Sequence, residues 1–267
     1  MDAQSIRQAL GELPGGRAGE IAFYPAIDST NAEAIRRLRQ GELADCLLVA
    51  ATQHAGRGRR GRTWLSPAGQ GIYLSLVRRF PGAPDRLQSL SLLTALSVHK
   101  GITALGGNNL RLKWPNDIYH NNRKLAGILL ELHREIDSCH LVFGIGVNLS
   151  LDDQARQQID QPVTDLATVL GHVPGPESVI AAIVQQLLPI LDEFDALGFA
   201  PFRDIWNSLD YFAGQQVRLA NGRQNLEGRS LGVDEHGALQ LETDSGIERI
   251  NGGEIQPSLR PLQARTS

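Results

Sequence analysis

The segment GRGRRGR, residues 56–62, and the residues that follow it constrain the fold more than any other stretch. Its first six residues satisfy G-x-G-x-x-G, which in a dinucleotide-binding unit follows a strand and opens a helix. An apolar run, DCLLVAAT (45–52), precedes it and has the character of a strand. The sequel, RTWLSPAGQGIYLSL (62–76), does not fit. It carries Pro67, Gly69 and Gly71 and then alternates as a second strand, so no helix opens there. Nor does an acidic residue for a ribose stand about 20 positions on, where RRFPG (78–82) lies. A P-loop fails as well, because no G-K-[ST] ends the glycine run.

What remains is a loop of glycines alternating with guanidinium groups. Glycine lets a backbone approach a ligand closely, and arginine offers fixed, always-charged donors to carboxylate or phosphate. Four cations so close repel one another until an anion arrives, so the loop is expected to order on a ligand. The bland alternative is a solvated basic turn. Trp64 and the interleaved glycines count against it. A nucleic-acid patch is the third reading. The formal net charge of −3, and the lack of aromatic residues interleaved with the arginines, count against that one.

Length and composition set the frame. At 267 residues, 42% hydrophobic and 21% charged, the chain suits a large and a small globular domain. Cys46 and Cys139 have no metal-like or redox-like spacing. The first residues, MDAQSIRQALGELPGG, lack a signal-peptide pattern, and no apolar run is long enough to span a bilayer. A cytoplasmic protein without membrane contact is expected.

Along the chain, EIAFY is strand-like and TNAEAIRRLRQG helical, with Thr30 and Glu33 as a capping box, Gly41 as a stop, and Ile35 and Leu38 facing inward. Residues 84–105 form a buried helix. LRLKWPNDIYH and RKLAGILLELH flank Asn121–Asn122, both tolerant of the positive φ of a tight hairpin, and CHLVFGIGVNLS adds a strand. Helices follow near 165–170, over ESVIAAIVQQLLPILDEFDALG with a kink at Pro189, and over FAPFRDIWNSL. From residue 212 short strands alternate with turns at Asn221–Gly222, His236–Gly237 and Ser245–Gly246, which reads as a small antiparallel barrel. The fold class is α+β: a catalytic-sized domain over 1–211 and a barrel over 212–267.

KWPNDIYHNNRK (113–124) holds two of only three lysines in the chain. Pro115 implies an edge, a bulge or the start of a turn, a break that aims Asn116 and Asp117 out of the sheet, while Lys124 returns toward the same end. The cluster offers two ammonium groups, an amide and a carboxylate, or else is a charged hairpin tip.

Taken in order, DSTN (28–31), QHAGRGRRGRTW (53–64), KWPND (113–117), KLAGIL (124–129), GIGVN (144–148) and GGEI (252–255) resemble the motifs of biotin protein ligases. The resemblance runs from about residue 20 to residue 257. It implies a central mixed sheet flanked by helices, related to the catalytic domain of class II aminoacyl-tRNA synthetases, with an SH3-like C-terminal barrel. It also implies two half-reactions: biotin and ATP give biotinyl-5′-AMP and pyrophosphate, and a carrier lysine then takes the biotinyl group.

Carried onto this chain, the resemblance implies that Lys124 contacts the biotin carboxylate and α-phosphate, with Arg57 and Arg59 closing over biotin and its adenylate. Ser29, Thr30, Asn31 and Gln53 would bind the polar end of biotin, with Gly58 and Gly127 beside it. Arg59, Arg62, Trp64, Lys113, Asn116, Asp117 and Asn148 would serve ATP. Mg²⁺ would arrive with ATP near Asp117 rather than in a site held by protein alone. The expected partner is the biotin carboxyl carrier protein of acetyl-CoA carboxylase or a similar domain. The oligomeric state, monomer or homodimer, stays open. Some members carry an N-terminal winged helix-turn-helix. DSTN begins here at residue 28, so a monofunctional ligase that binds no nucleic acid is expected. The rival within the same fold is a lipoate or octanoate transferase, which is not expected to carry GRGRRGR.

Overall fold

The computed structural model describes residues 1–12, 19–42, 45–81, 87–134, 138–220, 225–251 and 258–261. Helix α1 (Ala3–Leu10) precedes strand β1 (Glu20–Tyr24) and helix α2 (Thr30–Arg39). Strand β2 (Cys46–Ala50) delivers the chain to the arginine loop, and β3 (Gly71–Pro81) leaves it. After α3 (Leu87–Ala104) come β4 (Leu110–Lys113), β5 (Asp117–His120), β6 (Arg123–Arg134) and β7 (Ser138–Asn148). These seven strands form one sheet in the order β1-β2-β3-β7-β6-β5-β4. Strands β1 and β2 pair in parallel and the other neighbours antiparallel, so the sheet is mixed as expected.

Local chemistry accounts for several boundaries. Asn121 and Asn122 adopt φ of 47° and 61° and make the two-residue turn between β5 and β6. Trp114, Pro115 and Asn116 make the turn between β4 and β5, the turn being one of the breaks that Pro115 allowed. The α2 start differs from expectation. Its N-cap is Ser29, whose side chain accepts from the Ala32 N–H. Glu33 is therefore too far along to close a capping box, and instead pairs with Arg36 and Arg37. Leu38 is buried and Ile35 only partly, while Ala34 completes the inward stripe.

The helices α4 (Asp153–Gln158), α5 (Leu166–Leu170), α6 (Pro176–Leu197) and α7 (Arg203–Ser208) follow. Helix α6 runs through Pro189 without interruption. The sheet is covered unequally. Helices α3, α6 and α1 bury one face in a continuous core that includes Leu74, Leu96, Phe143, Ile183 and Leu187. Helix α2 covers part of the other face over Leu48, Val77 and Val142. The rest of that face is left for the site.

The expected barrel is a five-stranded antiparallel sheet of β8 (Gln216–Ala220), β9 (Asn225–Val233), β10 (Leu239–Thr243), β11 (Gly246–Ile250) and β12 (Ser258–Pro261), ordered β11-β10-β9-β8-β12. It meets the larger unit through named contacts. Ser89 Oγ donates to His236 O at 2.6 Å, and Asn207 Nδ2 donates to Val233 O at 2.9 Å. The expected Asn221–Gly222 turn and the GGEI segment lie outside the described residues.

Candidate active site

The sheet face beside α2 is floored by small side chains. Alternate residues of β7 on that face are Val142, Gly144, Gly146 and Asn148. Val142 lies under α2, and the two glycines open a hollow. Across the strands Gly144 pairs with Ser75 and Leu129, and Gly146 with Tyr73 and Gly127. A Cβ on Gly144 would stand 2.3 Å from Asn31 Oδ1, and one on Gly146 would stand 2.5 Å from the Trp64 indole. These two glycines are thus needed for close approach. The GIGVN motif acquires a physical role that its letters did not disclose: small residues on one face of a strand that is apolar on the other.

The hollow is a cleft of about 440 Å³. Around it stand Ser29, Thr30, Asn31 and Gln53, then Arg57, Gly58, Arg59, Arg62 and Trp64 of the loop, then Lys113, Asn116, Asp117, Lys124 and Gly127. Residues Tyr73, Leu74, Ile128, Leu129 and Ile145 supply its apolar part. Every expected site residue lines it except Asn148. That residue is buried outside the lining, donating to Thr164 O at 2.9 Å and Lys124 O at 3.4 Å. Its side chain binds the start of β6 to the 163–164 segment and so positions the Lys124 backbone.

At the α2 end, the polar groups hold one another. Gln53 Oε1 accepts from the Thr30 N–H at 2.9 Å, and Gln53 Nε2 donates to Ser66 Oγ at 3.0 Å. The Ser75 hydroxyl lies 2.7 Å from Thr30 Oγ1 and 2.6 Å from Asn31 Oδ1. Asn31 Nδ2 donates to Leu129 O at 3.2 Å and to Glu131 Oε2 at 2.8 Å. Asp28 takes a two-pronged contact from Arg36 at 2.7 and 2.9 Å, which holds its carboxyl down at about 2. Asp28 thereby fixes the turn, and the residues after it face the cleft.

The loop leaves β2 and returns as a short hairpin, with Gly58 N–H donating to Arg62 O at 2.7 Å and an isolated bridge between Arg57 and Thr63. Its arginines part company. Arg57, Arg60 and Arg62 are exposed, whereas Arg59 is half-buried and donates to Asn116 Oδ1 at 2.8 Å. Burial pushes the Arg59 guanidinium down to about 10, still cationic at neutral pH. Opposite it, Lys124 Nζ stands 2.8 Å from Asp117 Oδ1 and 5.3 Å from the Trp64 ring centre. Lys113 Nζ donates to Tyr119 Oη at 3.1 Å and lies 5.7 Å from the ring centre of Phe212, shortly before β8. Sequence reasoning quoted GIGVN but gave no site role to Gly144 or Gly146, nor to Ser75 and Glu131, which bond Asn31, nor to Asp160, Gln161 and Pro162 of the lining. Of these, only the glycines carried a signal, as small residues in an apolar strand.

A mixed sheet whose glycine-floored cleft gathers Arg59, Lys113 and Lys124 beside neutral polar groups defines a protein built to bind an anionic small molecule. Residues 23–148 match the Biotin/lipoate A/B protein ligase family, and residues 212–256 match the Biotin protein ligase C terminal domain. The chain is 36% identical over 264 residues to the bifunctional ligase/repressor BirA of Escherichia coli (strain K12), covering 97% of this chain and 79% of that one. It is 34% identical to the biotin–[acetyl-CoA-carboxylase] ligase of Paracoccus denitrificans, covering 85% of this chain and 96% of that one. The biotin protein ligase from Aquifex aeolicus in complex with biotin and ATP superimposes with a TM-score of 0.77 at 28% identity, over 91% of this chain and 99% of that one. The chain belongs to the biotin/lipoate A/B protein ligase family, among its biotin protein ligases.

Proposed function

We propose that this protein activates biotin with ATP to biotinyl-5′-AMP and passes the biotinyl group to one lysine of the biotin carboxyl carrier protein of acetyl-CoA carboxylase, or of a similar domain. The observation that carries this reading is the convergence of Arg59, Lys124 and Trp64 on the same cleft as Ser29, Thr30 and Gln53. Biotin has an uncharged polar head and a carboxylate tail. The cleft offers neutral polar groups at its α2 end and cations at the other.

Carboxylate and triphosphate repel, so cations must bring them together and hold the charge that builds on the α-phosphoryl oxygens. In the proposed reaction the biotin carboxylate oxygen attacks the α-phosphorus and pyrophosphate leaves. The carrier amine then attacks the acyl carbon and AMP leaves. Lys124 is the proposed catalytic cation, released from Asp117 to the reacting oxygens. Arg57 and Arg59 are proposed to close over the adenylate and exclude water. Arg62, Trp64, Lys113 and Asn116 are proposed to face the nucleotide, with Asn148 holding the Lys124 backbone from outside the lining. Mg²⁺, brought by the triphosphate, would neutralise phosphate charge, and Asp117 is the hard oxygen donor best placed beside it.

We also propose the division at residues 211 and 212 as the domain boundary, supported by the C-terminal match that begins at 212. Operator binding is not part of the proposal. Helix α1 packs on α6. No helix among the described residues is long and apolar enough to cross a membrane, and a cytoplasmic setting is proposed. The deciding experiment is ATP- and biotin-dependent labelling of a purified carrier domain, with lipoate in parallel. Transfer of lipoate instead of biotin would move the chain to the other branch of the family, and specific DNA retardation would reinstate a repressor role.

A further inference from the structure

Glu131, on β6, has no part in the reaction just described, yet one oxygen of its carboxylate joins two segments of the site. Oε2 accepts from Asn31 Nδ2 and from Arg57 Nη2, each at 2.8 Å. Asn31 is held from behind by the fully buried Ser75 hydroxyl at 2.6 Å and by Leu129 O. Arg57 is thus connected through a single carboxylate to the buried sheet. A second connection, from Arg59 to Asn116, anchors the inner half of the loop.

The strength of the outer connection matters. Side-chain exposures of 42% for Arg57 and 26% for Glu131 leave the pair in contact with water. Such pairs are weak and break readily, which suits a contact that must open for each turnover. The carboxylate also offsets one of four neighbouring positive charges, so the loop can lie against the sheet without a ligand beneath it.

We propose that Glu131 is a positioning residue that latches the arginine loop through Arg57 and so sets how long a bound acyl-adenylate is retained. This rests on the ligase reading above. The test loads the full-length protein with preformed biotinyl-5′-AMP and follows its release in the wild type, E131Q, R57Q and the double variant. E131Q is expected to speed release roughly three- to tenfold, while forming adenylate from biotin and ATP within about twofold of the wild-type rate, since a latch acts on opening rather than on chemistry. The double variant is expected to release no faster than the faster single one. Wild-type release from E131Q, or fully additive effects in the double variant, overturns the latch. Should E131Q fail to fold, Glu131→Asp decides, since its shorter carboxylate cannot span Asn31 and Arg57 together: unchanged release overturns the proposal, faster release supports it. A wild-type protein that does not bind biotinyl-5′-AMP overturns the functional reading instead.

Discussion

Lys124 Nζ and Asp117 Oδ1 face each other at 2.8 Å across neighbouring strands of the hairpin, both side chains mostly withdrawn from water. The hairpin turn at Asn121 and Asn122 brings them together, and a bulge between Ile118 and Tyr119 shifts the register so that Asp117 lies opposite Gly127. A cation held ready by one carboxylate can exchange that partner for another. If Lys124 has the proposed role, replacing it with alanine removes one oriented charge from the transition state. Biotin-dependent pyrophosphate exchange by Lys124→Ala should then fall by ~10²–10³. A near-normal rate would take Lys124 out of the central role.

Arg59 and Asn116 anchor the inner part of the loop, and Arg59 is the one arginine of the four that is half-buried. Arg59→Gly should loosen the loop and also remove a cation. Free biotinyl-5′-AMP should then appear in solution roughly tenfold faster or more. Arg59→Lys should rescue little, because an ammonium cannot reproduce the planar fork. Chromatographic detection of released adenylate during turnover without carrier checks both statements.

Gly146 leaves room for the Trp64 ring. The added methyl of Gly146→Ala would overlap it at 2.5 Å. Either the indole moves into the cleft or β7 shifts, and both are costly. A stability loss of about 1–3 kcal/mol is expected, together with a raised KM for ATP. A variant with unchanged melting temperature and unchanged KM would show that the ring moves at no cost.

Asp210 sits where α7 gives way to the barrel, in a bridge to Leu112 of β4, with its carboxyl accepting from the Phe212 N–H at 3.1 Å. Burial pushes this carboxyl up to about 6. A carboxyl whose folded pKa is raised binds its proton more tightly in the folded state. Its contribution to stability is full below about pH 4 and is lost as the pH rises through about 6. The span corresponds to something on the order of 3 kcal/mol. Asp210→Asn should therefore gain on the wild type as the pH rises from 4 to 7. Denaturant melts of the two proteins across that range test it, and a pH-independent difference would refute the assignment.

Much of this was legible without coordinates, and where it was, the determinants were local. The arginine loop was separated from a dinucleotide turn by Pro67 and the glycines that follow. The hairpin was marked by Asn121–Asn122, and the chain's change of character near 212 by the spacing of its turns. The order of motifs named the family. Each of these depends on residues within a few positions of one another, where backbone stereochemistry and hydrophobic period act directly.

The tertiary structure decided what depends on distant partners. It gave the α2 cap to Ser29 rather than Thr30, and it buried Asn148 against Thr164 O, out of the cleft's lining. It brought Asn31 to Glu131, 100 positions away, and laid Trp64 over Gly146. A sheet with neighbours β3, β7 and β6 assembles its floor from three separate strands. No single stretch of sequence records which side chains will share that face. Register and packing settle it, and with it which arginine reaches inward and which stays on the rim.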